Sequence, residues 1–330
     1  MEFDLINRYF APLGKGLAEA DLSIGDDGAV ITPPKDSQLV VVTDTSIEGV
    51  HFPLLTSPFD VGWKSLAVNL SDLAAMGARP AFYSLALTIE KYDQAWLAAF
   101  TGGLCAMMQS LVDDAAISAL PLVGGDTTRG PLSITITAHG WVRRGCAIPR
   151  SGAQPGDGIF VSGLLGEGGL GLSLALAAQQ PNNAAEVQAL TKLNRPNPRV
   201  GLGLALVDLA TSAIDISDGL LADLNHILQA SKVGADLDMT AMPMSNAVKA
   251  WAGADWLKPI NAGDDYELCF TLPPQHWSKL ADLSSQYAVK LTKIGQITAQ
   301  KGCRLDGQAI ATADLTSEQG FNHFASHLKS

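Results

Sequence analysis

The chain has 330 residues, 47% hydrophobic and 17% charged, which supplies ample core and excludes a disordered chain. A formal net charge of −11 leaves no basic face to neutralise the phosphates of a duplex and argues against a duplex-binding protein, so no nucleic-acid partner is expected. The length predicts two domains rather than one.

In chain order, Met1–Phe10 lacks a basic stretch followed by an apolar one, so a secretory leader is not expected. Phe3, Ile6 and Phe10 recur at helical spacing and predict a short amphipathic helix. Ile24–Val30 then sets Asp26 and Asp27 side by side between glycines, a pattern that ordinary turns also show. Leu39–Val42 reads as a buried strand ending in Thr43-Asp44-Thr45, and ligand sites gather at the ends of buried strands. His51 follows with no Cys or second His near it, which argues against zinc. Val61–Met76 reads as a helix with Leu66, Leu70 and Leu73 on its buried face. Ser65, Asn69 and Asp72 form a second, polar stripe on this helix, expected to face a ligand.

Phe82–Ile89 reads as a strand, Asp93–Leu111 as a helix, and Leu132–Val142 as a strand with Ile134, Ile136 and Ala138 inward. Pro121–Gly130 is read as a site-forming turn with hairpin-like pairing across Pro121–Val142. Its paired glycines Gly124 and Gly125 permit close backbone approach and amides facing an anion. Asp126 supplies an oxygen ligand for Mg²⁺ and Arg129 a fixed cation for phosphate. Arg143–Gly158 is rich in Gly, Pro and Arg and marks a boundary, giving domains 1–145 and 146–330.

The second half opens on a strand at Ile159–Val161. Gly166, Gly168 and Gly171 then spell G-x-G-x-x-G, but no second strand ending in an acid follows, so a nicotinamide-binding unit is rejected. A glycine-lined helix N-terminus near phosphates stays open as a reading. Ala213–Ile216 reads as a short strand carrying Asp215, followed by Ser217 and Asp218 as N-cap candidates for a helix with Leu221, Leu224 and Leu228 on one face. Asn261–Phe270 repeats the Gly-Asp-Asp theme at Asp264 and Asp265 before another buried strand. The alternation predicts an α/β (α+β) fold. The four cysteines, Cys105, Cys146, Cys269 and Cys303, form no C-x-x-C pair and fit a reducing, cytoplasmic setting. No apolar run is read as approaching the roughly 20 residues that span a bilayer, so no membrane partner is expected.

The acidic clusters are Asp26/Asp27, Asp44, Asp72, Asp126, Asp215/Asp218 and Asp264/Asp265. Carboxylates sharing a small volume repel unless cations are present, and Mg²⁺ is the natural one for oxygen ligands and phosphates. Mg²⁺ beside glycine turns and an Arg points to phosphoryl transfer. No Walker A sequence and no protein-kinase H-R-D or D-F-G set is present, so the nucleotide must be held in another way.

The ordered series Gly25-Asp-Asp, Thr43-Asp-Thr, His51-Phe52, Asn69-Leu-Ser-Asp-Leu-Ala-Ala-Met-Gly77, Gly124-Gly-Asp-Thr-Thr-Arg-Gly130, Arg150-Ser-Gly-Ala, Ile214-Asp-Ile-Ser-Asp-Gly219 and Gly263-Asp-Asp-Tyr-Glu-Leu268 resembles the thiamine-monophosphate kinase family. The resemblance runs on to Phe321–Phe324 and so covers nearly the whole chain. It implies a two-domain, PurM-like architecture shared with aminoimidazole ribonucleotide synthetase and selenophosphate synthetase. The N-terminal mixed sheet would form a homodimer interface, with ATP in a cleft near it, and a C-terminal α/β domain would complete the active site. The implied reaction, the last step of thiamine diphosphate biosynthesis, is direct in-line transfer from ATP to thiamine phosphate with several Mg²⁺ ions.

By the same resemblance Asp27, Thr43, Asp44, Asp72, Asp126, Asp215 and Asp218 match metal-binding positions, Asp44, Asp126 and Asp218 being taken as catalytic. Gly125, Asp126, Arg150 and Ser217 match nucleotide contacts, and His51, Asp264 and Phe321 match positions near thiamine phosphate. Asp264 stands where relatives often carry Glu, and Phe321 where Tyr is common, which keeps ring stacking but loses a hydroxyl. A selenophosphate synthetase would carry a reactive Cys or selenocysteine where Leu13-Gly-Lys-Gly16 has none, and a hydrogenase-maturation relative would end in Cys rather than Leu328-Lys-Ser330. Aminoimidazole ribonucleotide synthetase is disfavoured by Gly124–Gly130 and Gly263–Leu268. A binding-only protein using the same carboxylates is separated from a kinase by turnover.

Overall fold

Strand β1 (Ser37–Ile47) has Leu39, Val41, Thr43, Thr45 and Ile47 on an exposed face, which corrects the reading of Leu39–Val42 as a buried strand: of those four only Val40 is buried. The strand is an edge of the first sheet in the computed structural model, which describes residues 5–16, 21–113 and 117–311. The sheet runs in the order β1-β4-β2-β3, with β2 at Arg79–Ile89, β3 at Leu122–Arg129 and β4 at Ser133–Arg143. β4 is antiparallel to both β1 and β2, while β3 lies parallel to β2. The expected hairpin across Pro121–Val142 is therefore corrected: β2 lies between β3 and β4. In β4, Ile134, Ile136 and Ala138 are fully buried, as their alternation predicts.

Helix α1 (Pro58–Ala75) starts at Ser57, whose hydroxyl accepts the Asp60 N–H at 3.1 Å, with Pro58 in the first turn. Its Leu66, Leu70 and Leu73 are fully buried. Helix α2 (Gln94–Asp113) is capped by Asp93, which accepts the N–H groups of Ala95 and Trp96 at 3.0 and 3.1 Å. The two helices approach backbone to backbone: a Cβ at Gly62 would stand 2.1 Å from the Phe100 carbonyl oxygen, and one at Gly103 2.0 Å from that of Phe59. At 20 residues with mean hydropathy 1.4, α2 is long and apolar enough to cross a bilayer by length and composition. This corrects the reading that no segment approaches that length; here Leu97, Phe100, Leu104, Met107 and Leu111 are buried.

The chain divides into two compact units, Met1–Ala147 with Asn194–Leu204, and Ile148–Leu193 with Ala205–Ser330. Asn194–Leu204 groups with the first unit through α1: the Trp63 indole donates to the Pro196 carbonyl at 2.9 Å, and Arg195 pairs with Asp60.

The second unit is built on a seven-stranded sheet in the order β11-β10-β7-β9-β5-β8-β6. Its strands are β5 (Gly158–Ser162), β6 (Ser212–Asp215), β7 (Gly234–Leu237), β8 (Leu268–Leu272), β9 (Leu291–Thr298), β10 (Gly302–Leu305) and β11 (Gln308–Ala309). β5, β6 and β8 are buried at every position, and β5 and β8 read as largely apolar runs for that reason. Helices α3 (Glu167–Leu176), α4 (Ala184–Asn194) and α5 (Leu220–Ser231) supply Leu170, Leu174, Ala189, Leu221 and Leu224 to the core around Val161, Ile214 and Cys269.

Candidate active site

In the first unit the acids gather around β1 and β3. Neighbouring residues of a strand point to opposite faces, so Asp44 and Thr43 are separated by the sheet. The Thr43 hydroxyl donates to that of Thr137 at 3.0 Å on the exposed face. Asp44 lies on the other side, where its N–H donates to Asn69 Oδ1 at 3.1 Å and Asn69 Nδ2 donates to the Ser65 carbonyl at 3.0 Å. Ser65 and Asn69 are thus internal, and Asn69 holds the backbone of β1 instead of facing a ligand. Of that stripe only Asp72 meets the Asp44 carboxyl. Burial pushes Asp44 above the ordinary carboxylate range, and the hydrogen bond with Asp72 pulls it back.

Pro121–Gly130 is not a turn. β3 runs straight through the glycines, because a Cβ at Gly125 would stand 1.8 Å from the Leu85 carbonyl oxygen of β2. Gly125 is there for strand approach. Asp126 is exposed and shares a cavity of about 730 Å³ with Asp26 and Asp27, whose apolar wall includes Ile6, Phe10, Leu85 and Val123. Arg129 lines a different, shallower hollow with Lys91, Tyr92 and Thr128. His51 turns back on β1, its Nδ1 accepting the Ile47 N–H at 3.0 Å, so in the neutral ring the proton sits on Nε2.

In the second unit β6 ends at Asp215, followed by Ile216, Ser217 and Asp218. The expected capping by Ser217 or Asp218 is corrected: Gly219 is the N-cap of α5, at φ 112°, with no side-chain cap. Asp223, in the first turn, reaches back and accepts the N–H groups of Ser217 at 2.9 Å and Asp218 at 3.1 Å. Burial first, then the charges of Asp215 and Asp218, push Asp223 well above the usual carboxylate range. Sequence reasoning passed over Asp223, although an acid in the first helical turn is a capping signal. It also passed over Ser231, whose hydroxyl accepts the N–H groups of Gly152 and Ala153 at 3.1 and 3.2 Å and donates to the Arg150 carbonyl at 3.3 Å.

The loop Gly263–Glu267 runs beside this segment: Asp264 N–H donates to the Ser217 carbonyl at 2.9 Å and Tyr266 N–H to that of Ile216 at 2.8 Å. Asp265 is buried and accepts the Gly166 and Gly168 N–H groups at 2.7 and 3.1 Å. The glycine-lined start of α3 is therefore filled by the protein's own carboxyl, which corrects the reading of a phosphate site there. Phe321 lies outside the described residues.

Burial raises Asp265 to about 7 against the pull of the two amides and Lys192, with Glu267 adding to the rise. The folded form then holds a proton that the unfolded chain, with an ordinary carboxyl, has released. Stability from this group is highest at low pH and falls between about pH 4 and pH 7, by on the order of 4 kcal/mol in total. Urea denaturation of wild type and Asp265→Asn across that window should show the decline in the wild type and a flatter profile in the variant.

Among the described residues no three His, Cys, Asp or Glu side chains come together as a metal-holding group. The donors instead stand in small sets, such as Asp44 with Asp72 and Asp26 and Asp27 with Asp126 along one cavity. That chemistry fits Mg²⁺, which is commonly held by one or two carboxylates with water and substrate phosphates completing its shell.

Two family models match, AIR synthase related protein N-terminal domain over residues 25–142 and AIR synthase related protein C-terminal domain over residues 154–308. The chain thus has the two-domain, PurM-like α/β fold of that class. It is 43% identical to thiamine-monophosphate kinase of Escherichia coli K12 over 332 residues, covering 98% of both chains. A crystal structure of thiamine-monophosphate kinase from Stenotrophomonas maltophilia K279a matches with TM-score 0.84 and 44% identity, over 94% of this chain and 98% of that one. AaThiL complexed with AMPPCP and TMP matches with TM-score 0.76 and 28% identity over 92% of each chain. The chain belongs to the thiamine-monophosphate kinase family.

Proposed function

We propose that this protein transfers the γ-phosphoryl group of ATP to thiamine phosphate, giving thiamine diphosphate and ADP by direct in-line displacement in the cytoplasm. The observation that carries this reading is the 43% identity to a thiamine-monophosphate kinase along 98% of both chains. The relative crystallised with AMPPCP and TMP agrees with an ATP-like donor.

In this reading Asp27, Asp44, Asp72, Asp126, Asp215 and Asp218 hold Mg²⁺, with Asp44, Asp126 and Asp218 nearest the reaction. When bound, Mg²⁺ neutralises charge on the transferring phosphoryl group. Gly125, Arg150 and Ser217 contact the nucleotide, and His51, Asp264 and Phe321 the thiamine phosphate. Thr43 belongs to the same motif, but its hydroxyl is engaged with Thr137 on the other face of the sheet. The accepting phosphate oxygen is already ionised near neutral pH, so the chain's task is to orient it and exclude water; no general base is required.

The protein is further proposed to form a homodimer through the exposed face of the first sheet. Leu39 and Val41 are 45% and 53% exposed there, which is unusual for large apolar side chains of a strand centre. Val41→Lys should shift sedimentation from dimer to monomer with the far-ultraviolet circular dichroism unchanged; a wild-type monomer would contradict the proposal.

The deciding experiment is phosphorus NMR of the purified protein with ATP, Mg²⁺ and thiamine phosphate. New resonances of thiamine diphosphate and ADP, absent without Mg²⁺, are expected. ATP consumption only with aminoimidazole precursors would move the activity to another member of the superfamily, and silence with every substrate would return the binding-only reading.

A further inference from the structure

The loop Gly263–Glu267 holds two residues in the left-handed region, Asp264 at φ 68° and Tyr266 at φ 47°. Asp tolerates this conformation, but for a bulky tyrosine it is rare, and such strain persists only where the surroundings over-determine it. Here they do. Asp265, between the two, is anchored by the Gly166 and Gly168 amides at 2.7 and 3.1 Å. Glu267 is fixed by the Ser162 hydroxyl at 2.6 Å and the Lys192 ammonium of α4 at 2.7 Å, and Ser162 Oγ in turn accepts the Leu268 N–H at 2.9 Å. The Tyr266 hydroxyl donates to Asp264 Oδ1 at 3.4 Å, so the strained ring supports the carboxylate two residues back. Gly168 completes the device: a Cβ there would stand 2.3 Å from the Asp264 carbonyl oxygen, so only glycine lets the start of α3 pack on this backbone.

A buried carboxyl and a buried ion pair are poor sources of net stability, since desolvation offsets much of what their bonds return. Both are spent on one short loop, and the loop's single partly exposed acid is Asp264. We propose that Asp265 and Tyr266 are positioning residues that hold Asp264 in its left-handed conformation and aim its carboxylate at the accepting substrate. The proposal rests on the reading of Asp264 as a contact to thiamine phosphate.

The test measures KM for thiamine phosphate and for ATP in Asp265→Asn, Gly168→Ala and Tyr266→Phe, alone and combined with Asp264→Ala. Asp265→Asn loses one of two accepted N–H bonds, and Gly168→Ala displaces the Asp264 backbone. Each should raise KM for thiamine phosphate about tenfold while KM for ATP stays within about twofold. Tyr266→Phe removes one oxygen, should fold as the wild type does, and should raise KM for thiamine phosphate about threefold. Once Asp264 is alanine, none of the three should add further loss, because their effect passes through its carboxylate. Equal rises for both substrates, or losses that simply add to that of Asp264→Ala, would show a merely structural role and overturn the proposal. If Asp265→Asn or Gly168→Ala fails to fold, Tyr266→Phe decides the matter alone. Lack of wild-type turnover with thiamine phosphate would sink the functional reading itself, and the proposal with it.

Discussion

Asp44→Asn should lower turnover of ATP with thiamine phosphate by about 10³-fold or more while leaving the first unit folded. The substitution keeps the side chain's shape and spares the Asp44 N–H bond to Asn69, so β1 keeps its place. What it removes is the negative charge next to Asp72. Burial already pushes Asp44 above its ordinary range, against the hydrogen bond with Asp72, so keeping it charged costs stability. The variant should therefore be as stable as wild type, or more so, when Mg²⁺ is absent. If Asp44 holds Mg²⁺ as proposed, any stabilisation of the wild type by Mg²⁺ should largely disappear, since a ligand stabilises only the form it binds. Thermal unfolding with and without Mg²⁺, beside the rate assay, checks both halves. Near-wild-type turnover would remove Asp44 from the proposed metal site.

Gly125→Ala should destabilise the protein by on the order of 3 kcal/mol and abolish activity. The added methyl would sit 1.8 Å from the Leu85 carbonyl oxygen and 2.7 Å from its carbon, both backbone atoms of the neighbouring strand. Neither moves without breaking the parallel β2–β3 ladder, in which Gly125 stands opposite Leu85 and Asp126 opposite Ala86. Asp126 would leave its position along the cavity together with the strand. Gly124→Ala is the control: a Cβ there meets nothing within 4 Å, so its effect should stay within about 0.5 kcal/mol. Urea denaturation of the pair separates strand approach from any general demand for glycine; equal losses would contradict the steric account.

Much of this protein is legible in its sequence. Motifs such as Asn69–Gly77 and Gly263–Leu268 are contiguous, so family membership needs no tertiary information, and the 43% identity along the chain agrees. The buried strands and the apolar face of α1 follow from local periodicity, which the backbone imposes residue by residue. What the sequence hides is who serves whom. Asn69 read as ligand-facing because its stripe is polar, yet it closes an unpaired N–H of β1 25 residues away. Gly166 and Gly168 left a phosphate cradle open as a reading because glycines opening a helix expose amides, yet Asp265, 99 and 97 residues on, already occupies them. Gly124 and Gly125 read as a turn because glycine permits one, whereas strand-to-strand approach at Leu85 demands glycine at the second position. The sequence by itself determined the family, elements such as α1, β2 and β4, and the set of acids, since each is carried by residue types at short, regular spacing. Only the tertiary structure decided which acids, such as Asp223 and Asp265, hold the scaffold, because a buried polar group must find a partner wherever the fold brings one, and that partner leaves no local mark on the chain.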